Sequence, residues 1–232
     1  MHDSNPATTL TARTLTRSDL LGLIRGAHPG ALFEQCVFDG ADLGGLDLGR
    51  AQFQDCSFAE TSFEKSKLAE TRWHACKLRQ ANFQLADLTD ARFYRCDLNN
   101  SSWVRSKLAS ARFIEVKLTG AVFTGAQTLG LSFHDSLLSG ADLRGVSFRK
   151  QQIEQLNLSD ADLAGCDFHD AVFEGGSLRD ANLKNAQFDG ADLRSVDLGG
   201  LKINALAQFF KGSIISAEQA ASLISGLGLR VM

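Results

Sequence analysis

Large apolar residues recur at every fifth position of this chain. Counting from Phe33 in steps of five to Ile203, every position except Thr128 holds Phe, Leu, Ile or Trp. Neither regular element has that period: a helix returns to one face about every 3.6 residues, a strand every second one. A second column lies two residues before each centre and is mostly small, as in Ala31, Cys36, Ala41, Ala51 and Cys56, with Gln151 its one long polar member. Between the columns sits a polar residue, often Asp or Asn (Asp42, Asn82, Asp162, Asn182). The unit is therefore A-(D/N)-(L/F)-x-x. Two inward positions in five residues fit one side of a square coil: a short extended piece, whose alternate residues point inward, followed by a turn. Four sides close a coil of twenty residues. The pattern predicts an all-β quadrilateral β-helix over 31–203, with coils stacked at about 4.8 Å. Gly at the end of many units (Gly40, Gly45, Gly120, Gly140, Gly190, Gly200) suits a turn with positive φ. Each buried centre contributes roughly 1.5–3 kcal/mol, so stability should be nearly one-dimensional and the ends need caps.

The flanks read differently. Residues 1–30 form an extension and cap, with "TRSDLLGLIRG" as a short capping helix. Residues 204–232 begin with "NALAQFFKGSII" and continue into a helix. Ser216 is its N-cap and Gln219, three residues on, completes a capping box. Ala220, Leu223, Ile224 and Leu227 make an apolar stripe at helical spacing, Gly226 and Gly228 end the helix, and Leu229 to Val231 read as a terminal strand. Phe209, Phe210, Leu223, Ile224, Leu227, Leu229 and Val231 could form a dimer seam or a hydrophobic lid over the last coil.

Composition narrows the chemistry. Apolar residues make up 44% of 232 residues and the net charge is −3, which is globular and points to neither a nucleic-acid binder nor an acidic tail. Pro6 and Pro29 both precede the periodic region, as a backbone committed to ladders requires. No apolar run reaches the ~18 residues of a membrane span, and the N-terminus has no apolar core of a secretory signal. Cys36, Cys56, Cys76 and Cys96 are twenty apart, so they stack in one inward column with parallel Cβ bonds, which is poor disulfide geometry. Reduced, buried thiols in a cytoplasmic protein are expected; Cys166 falls in another column. In "FHDS", His134 and Asp135 lie on the outer turn while Ser136 points inward, so no triad forms. His2, His28 and His74 lack ligand spacing, and no phosphate-binding loop, dinucleotide fingerprint or zinc knuckle is present. The expectation is no catalytic residue, no metal, no cofactor and no small-molecule substrate.

Charge is unevenly distributed. Residues 136–200 carry eleven Asp/Glu against six Lys/Arg, and residues 65–117 carry eleven Lys/Arg against five Asp/Glu. Arg72, Arg92 and Arg112 are twenty apart and should stack as an outward ladder that either grips an acidic partner or is a solvated face. Asp160, Asp162, Asp167, Asp170, Glu174 and Asp180 form the core of the acidic band. Asp162 and Asp167 occupy the position before a centre, where Asp serves turn hydrogen bonds; Asp160, Asp170 and Asp180 lie at outer turn positions.

The repeat resembles the pentapeptide-repeat family, whose members form right-handed quadrilateral β-helices. The tail "QAASLISGLGLRV" is similar to those of the Qnr-type quinolone-resistance subfamily. That resemblance implies a homodimer joined end to end through the C-terminus. It also implies a duplex-DNA mimic that binds DNA gyrase or topoisomerase IV and opposes their poisons, with the acidic residues above as the partner-binding face. Here the five-residue register never slips, so "AQTLG" (126–130), around Thr128, is the one place for a loop. The basic middle block favours a different reading, a protein-interaction scaffold with no DNA mimicry.

Overall fold

The computed structural model describes residues 9–25, 30–200 and 209–225. The chain is a parallel β-solenoid with two short helices, built as two units that divide between Leu131 and Ser132.

The first unit contains β1 (Thr9–Thr11), α1 (Arg17–Arg25), β2 (Leu32–Glu34), β3 (Gln52–Gln54), β4 (Arg72–His74), β5 (Arg92–Tyr94) and β6 (Arg112–Ile114). Consecutive strands pair in parallel, and from β2 onward every partner is twenty residues away, as in Phe33↔Phe53 and Trp73↔Phe93. These strands form the first side of each coil. The other three sides touch the next coil through one bridging residue each, as in Ser57↔Lys77, Ser62↔Asn82 and Lys67↔Asp87. The last residue of each five-residue side turns the corner in the left-handed region. Gly40 and Gly45 do so, but so do Arg50, Lys65, Leu85 and Arg105, at φ between 55° and 65°. Glycine is therefore not required at a corner. Val, Ile, Thr and Pro are absent from these positions between Gln35 and Gly130, because a branched Cβ collides with the backbone at positive φ and the proline ring fixes φ near −65°.

The interior of this unit is an aromatic zipper. On the first side Phe33, Phe53, Trp73, Phe93 and Phe113 stack face to face, with centroids 4.2–5.5 Å apart. On the third side Phe63, Phe83, Trp103 and Phe123 stack likewise. The two stacks meet edge to face across the coil axis, as in Phe63–Trp73 at 87° and Phe93–Trp103 at 88°. Both arrangements suit the ring quadrupole. A buried indole also needs an acceptor for its N–H. Trp73 Nε1 donates to Thr71 Oγ1 at 2.9 Å and Trp103 Nε1 to Ser101 Oγ at 2.8 Å. Each tryptophan thus has a hydroxyl two residues upstream, where many other centres have Ala or Cys. Ser101→Ala should cost about 1–3 kcal/mol more than Ser106→Ala. Both hydroxyls donate to a carbonyl, Leu98 and Trp103 respectively, but only Ser101 accepts from an indole. Urea denaturation of the two variants checks this; equal losses would remove the indole from the account.

The second unit contains β7 (Ser132–His134), β8 (Gln152–Glu154), β9 (Val172–Glu174) and α2 (Ala217–Ser225). Its aromatic column lies on the fourth side: Phe148, Phe168, Phe188 and Phe210 stack at 4.5–4.9 Å, while the third side carries Leu143, Leu163 and Leu183. Gly175 and Gly176 are consecutive left-handed residues at the first corner of one coil.

Each end is closed by one polar side chain that takes at least one carbonyl the missing next coil would have paired. At the N-terminal end, Leu10 and Leu15 continue two inward columns, with β1 in register on β2 at an offset of twenty-three residues. The third side is then replaced by α1, started by a capping box between Thr16 and Asp19. Arg17 Nη1 donates to the carbonyls of Asp42 (3.0 Å) and Gly44 (2.8 Å). At the C-terminal end Ile214 bridges to Asp192 at an offset of twenty-two. Ser216 and Gln219 form the expected capping box of α2. Gln219 Nε2 also donates to the carbonyls of Leu193 and Val196, both at 2.7 Å.

Candidate interaction surface

The inward columns of both units are filled by buried side chains, which leaves the outer faces as the accessible surface. The cysteines belong to the filling. The Sγ atoms of Cys36, Cys56 and Cys76 lie 3.3–3.4 Å from the carbonyls of Leu10, Phe33 and Phe53 in the preceding coil. A hydrogen bond with Cys76 and burial push the Cys56 thiol well up, and burial pushes Cys166 up to about 12. Ser136 is buried with its hydroxyl donating to the His134 carbonyl at 2.7 Å, so it is a packing residue. Among the described residues no group of three or more His, Cys, Asp or Glu side chains stands as a metal site. No described helix is long and apolar enough to cross a membrane.

The six acidic residues singled out from the sequence are distributed around the second unit. Asp160 and Asp180 stack at the corner between the second and third sides, at φ +58° and +54°, exposed and without an ion pair among the described residues. Asp162 adjoins them on the third side, held by the Ala164 amide (3.1 Å), Asn182 Nδ2 (2.9 Å) and Arg144 (3.6 Å). Asp167 and Asp170 belong to the fourth side. Asp167 accepts from the His169 amide and lies 2.6 Å from its ring, with Arg149 at 3.5 Å. Glu174 lies on the first side, 2.5 Å from Gln152 Nε2. Asp160, Asp162 and Asp180 are thus brought together, and the other three are placed elsewhere.

Of the seven residues considered for a dimer seam, Leu227, Leu229 and Val231 lie outside the described residues. Phe210 is buried in the chain itself, stacked on Phe188 at 4.5 Å, which makes it part of the lid over the last coil. Phe209 and Leu223 are half-buried and Ile224 is exposed. Leu223 lines a cleft of about 520 Å³ between α2 and the last coil, together with Arg179, Asp197 and Glu218.

The basic ladder is present as expected. Arg72, Arg92 and Arg112 are in register on the first side of the first unit and all are exposed. Beside them the ring of His74 leans on that of Tyr94 at 5.2 Å, and the Arg95 guanidinium lies 4.8 Å from the Tyr94 centroid. The segment around Thr128 is no loop: Gln127 bridges to Lys107 and Gly130 turns at φ +71°, like any other side. Its Leu129 is 85% exposed.

The Asp residues that precede a centre act locally. Burial works against the Asp167 carboxylate, but the His169 amide and ring hold it below the ordinary range. The Arg194 side chain does so for Asp192, and the Gly199 amide and Arg179 for Asp197. A carboxylate whose folded value is depressed stabilises the fold at neutral pH, and that contribution is lost as acid protonates it. Urea midpoints are therefore expected to be flat near neutrality and to fall below about pH 4. A midpoint that rises on acidification would contradict this.

Family models for "Pentapeptide repeat region" and "Pentapeptide repeats (8 copies)" match the sequence. The first covers residues 30–103, the second residues 86–125, 132–170 and 161–200, leaving out the side around Thr128. A search of curated proteins returned no match. Among solved structures, full-length QnrB1, a plasmid-mediated fluoroquinolone resistance protein, is similar at 22% identity and a TM-score of 0.67, over 96% of this chain and 98% of that one. A trypsin-treated variant of QnrB1 gives 23% and 0.68, over 97% and 98%. HetL, involved in heterocyst differentiation regulation in the cyanobacterium Nostoc sp. strain PCC 7120, gives 20% and 0.52, over 83% and 87%.

Proposed function

Because this chain belongs to the pentapeptide-repeat family, with its interior filled and only its exterior free, we propose that it is a non-enzymatic binding protein of the cytoplasm. Its target is a bacterial type II topoisomerase, DNA gyrase or topoisomerase IV. It occupies the enzyme as a duplex-DNA mimic and modulates it or protects it from poisons such as fluoroquinolones. The observation that carries this reading is the likeness in fold to QnrB1 over nearly the whole of both chains. The acidic second unit supplies the phosphate-like charge, with Asp160, Asp162 and Asp180 as its densest group. The protein works as a homodimer through its C-terminal segment, with Phe209, Leu223 and Ile224 at the seam, and needs no cofactor, metal or nucleic acid.

Electrostatic complementarity to a basic DNA groove makes binding fall steeply with salt. A gyrase supercoiling assay with and without a fluoroquinolone tests the proposal. The expected result is inhibition at high protein concentration and rescue from the drug at lower concentration. Neither effect, together with no binding to gyrase or topoisomerase IV at low salt, discards it. One observation favours a scaffold without DNA mimicry: Arg72, Arg92 and Arg112 interrupt any continuous negative surface. That reading predicts topoisomerase activity untouched by the protein at every salt concentration.

A further inference from the structure

We propose that the Arg72/Arg92/Arg112 ladder is a docking strip for a second copy of this chain, which meets it with the acidic rungs Glu154 and Glu174. Arg50, Arg79, Arg95, Arg144, Arg149, Arg179 and Arg194 each have a carboxylate within 3.6 Å. Arg72, Arg92 and Arg112 have none among the described residues. Three guanidinium groups repeating at strand spacing, about 4.8 Å, repel one another. An anion bound across them relieves that repulsion.

The matching anion is visible on the second unit. Its first side, made of the same flat three-residue strands, places Glu154 in register with Glu174. Among the described residues Glu154 lies 3.8 Å from the His134 ring, and Glu174 is bonded to the neutral Gln152. Asp135 stands exposed on the corner next to His134. Both ladders take their spacing from the rise of one coil. The two glutamate rungs of one copy therefore match the spacing of two of the three arginine rungs of another laid beside it, which an irregular acidic surface does not achieve. Arginine's planar fork is suited to such pairing. The rings of His74 and Tyr94 flank the basic strip, and Val172, 43% exposed, flanks the acidic one. This contact is separate from the C-terminal seam and independent of the topoisomerase reading.

Exposed ion pairs are individually weak, so the association is transient and confined to low ionic strength. Sedimentation velocity of the full chain at about 20 mM and about 300 mM salt tests it, since the Debye length shrinks severalfold over that range. The wild type should show, at low salt only, a sedimentation coefficient that rises with protein concentration beyond that of the C-terminal dimer. R72E/R92E/R112E and E154K/E174K should each lose the rise, and an equimolar mixture of the two should recover it. R72Q/R92Q/R112Q, a milder change, should lose it as well. The proposal is overturned if the wild type shows no salt-sensitive rise, if a ladder variant keeps the low-salt rise, or if the mixture does not recover it. It is equally overturned if ladder reversal abolishes binding of an added oligodeoxythymidine while self-association persists; the strip would then belong to a polyanion.

Discussion

Trp103→Ala is expected to remove about 3–5 kcal/mol of stability, among the largest losses available to a single side chain here. Trp103 is fully buried. It stacks on Phe83 at 4.2 Å and Phe123 at 5.7 Å, and meets Phe93 and Phe113 edge to face at 5.5 and 5.3 Å. Alanine deletes all four ring contacts, and neighbours held in two stacks cannot collapse into the space. The same change leaves the Ser101 hydroxyl bonded to Leu98, so the loss is packing rather than an orphaned polar group. Trp103→Phe keeps a ring in the stack and should cost well under half as much. Urea denaturation followed by circular dichroism gives the numbers. Because each coil contacts only its neighbours, hydrogen exchange should accelerate most in the coils carrying Phe83 and Phe123. A loss of under about 1 kcal/mol for Trp103→Ala would mean that the zipper is not what holds the first unit together.

Gly176→Ala should be the most damaging single-methyl change in the second unit, costing about 2–4 kcal/mol when left-handed strain and overpacking are combined. Gly176 occupies the small inward column, where Cys, Val, Ser and Leu serve elsewhere, so composition alone makes it replaceable. Its φ of +85° and its neighbours say otherwise: a Cβ there would press on the Leu156 carbonyl oxygen and approach the Leu156 amide nitrogen at 2.9 Å. Both are backbone atoms of the coil below and cannot rotate aside. Gly140→Ala is the control, because at φ +65° its Cβ meets nothing within 4 Å. It should cost only the conformational part, about 1–2 kcal/mol. Equal midpoint shifts for the two variants would show that strain alone is at work and that the contact with Leu156 yields.

The solenoid was legible because its period is arithmetic. Step five from Phe33 and the inward column appears; step twenty and the stacked neighbours appear, including the cysteine column and the arginine ladder. The same step of twenty separates the aromatic columns, Phe63–Phe83–Trp103–Phe123 in one unit and Phe148–Phe168–Phe188 in the other. The ends were hidden by a change of phase. Leu10, Leu15 and Leu20 are also five apart and buried, but out of step with Phe33 by three residues. Phe210 is out of step by two for the same reason, lying twenty-two residues after Phe188, on which it stacks. Each terminal coil includes extra residues, so a count locked to one phase ends too early. The placement of the acidic residues was legible only in part. Asp160 and Asp180, twenty apart, must share a corner, whereas Asp170 and Glu174 differ from them in position within the coil and fall on other sides. What those carboxylates meet in a partner is not a matter of period at all.

A stack of parallel coils has no intrinsic length. Its terminal rung offers another molecule the same hydrogen bonds that joined the rungs before it, which is the geometry of runaway fibril growth. Arg17, on the Asp42 and Gly44 carbonyls, and Gln219, on that of Val196, deny that template at either end. Removing either side chain should make the protein prone to end-to-end polymerisation, even where its melting temperature barely changes.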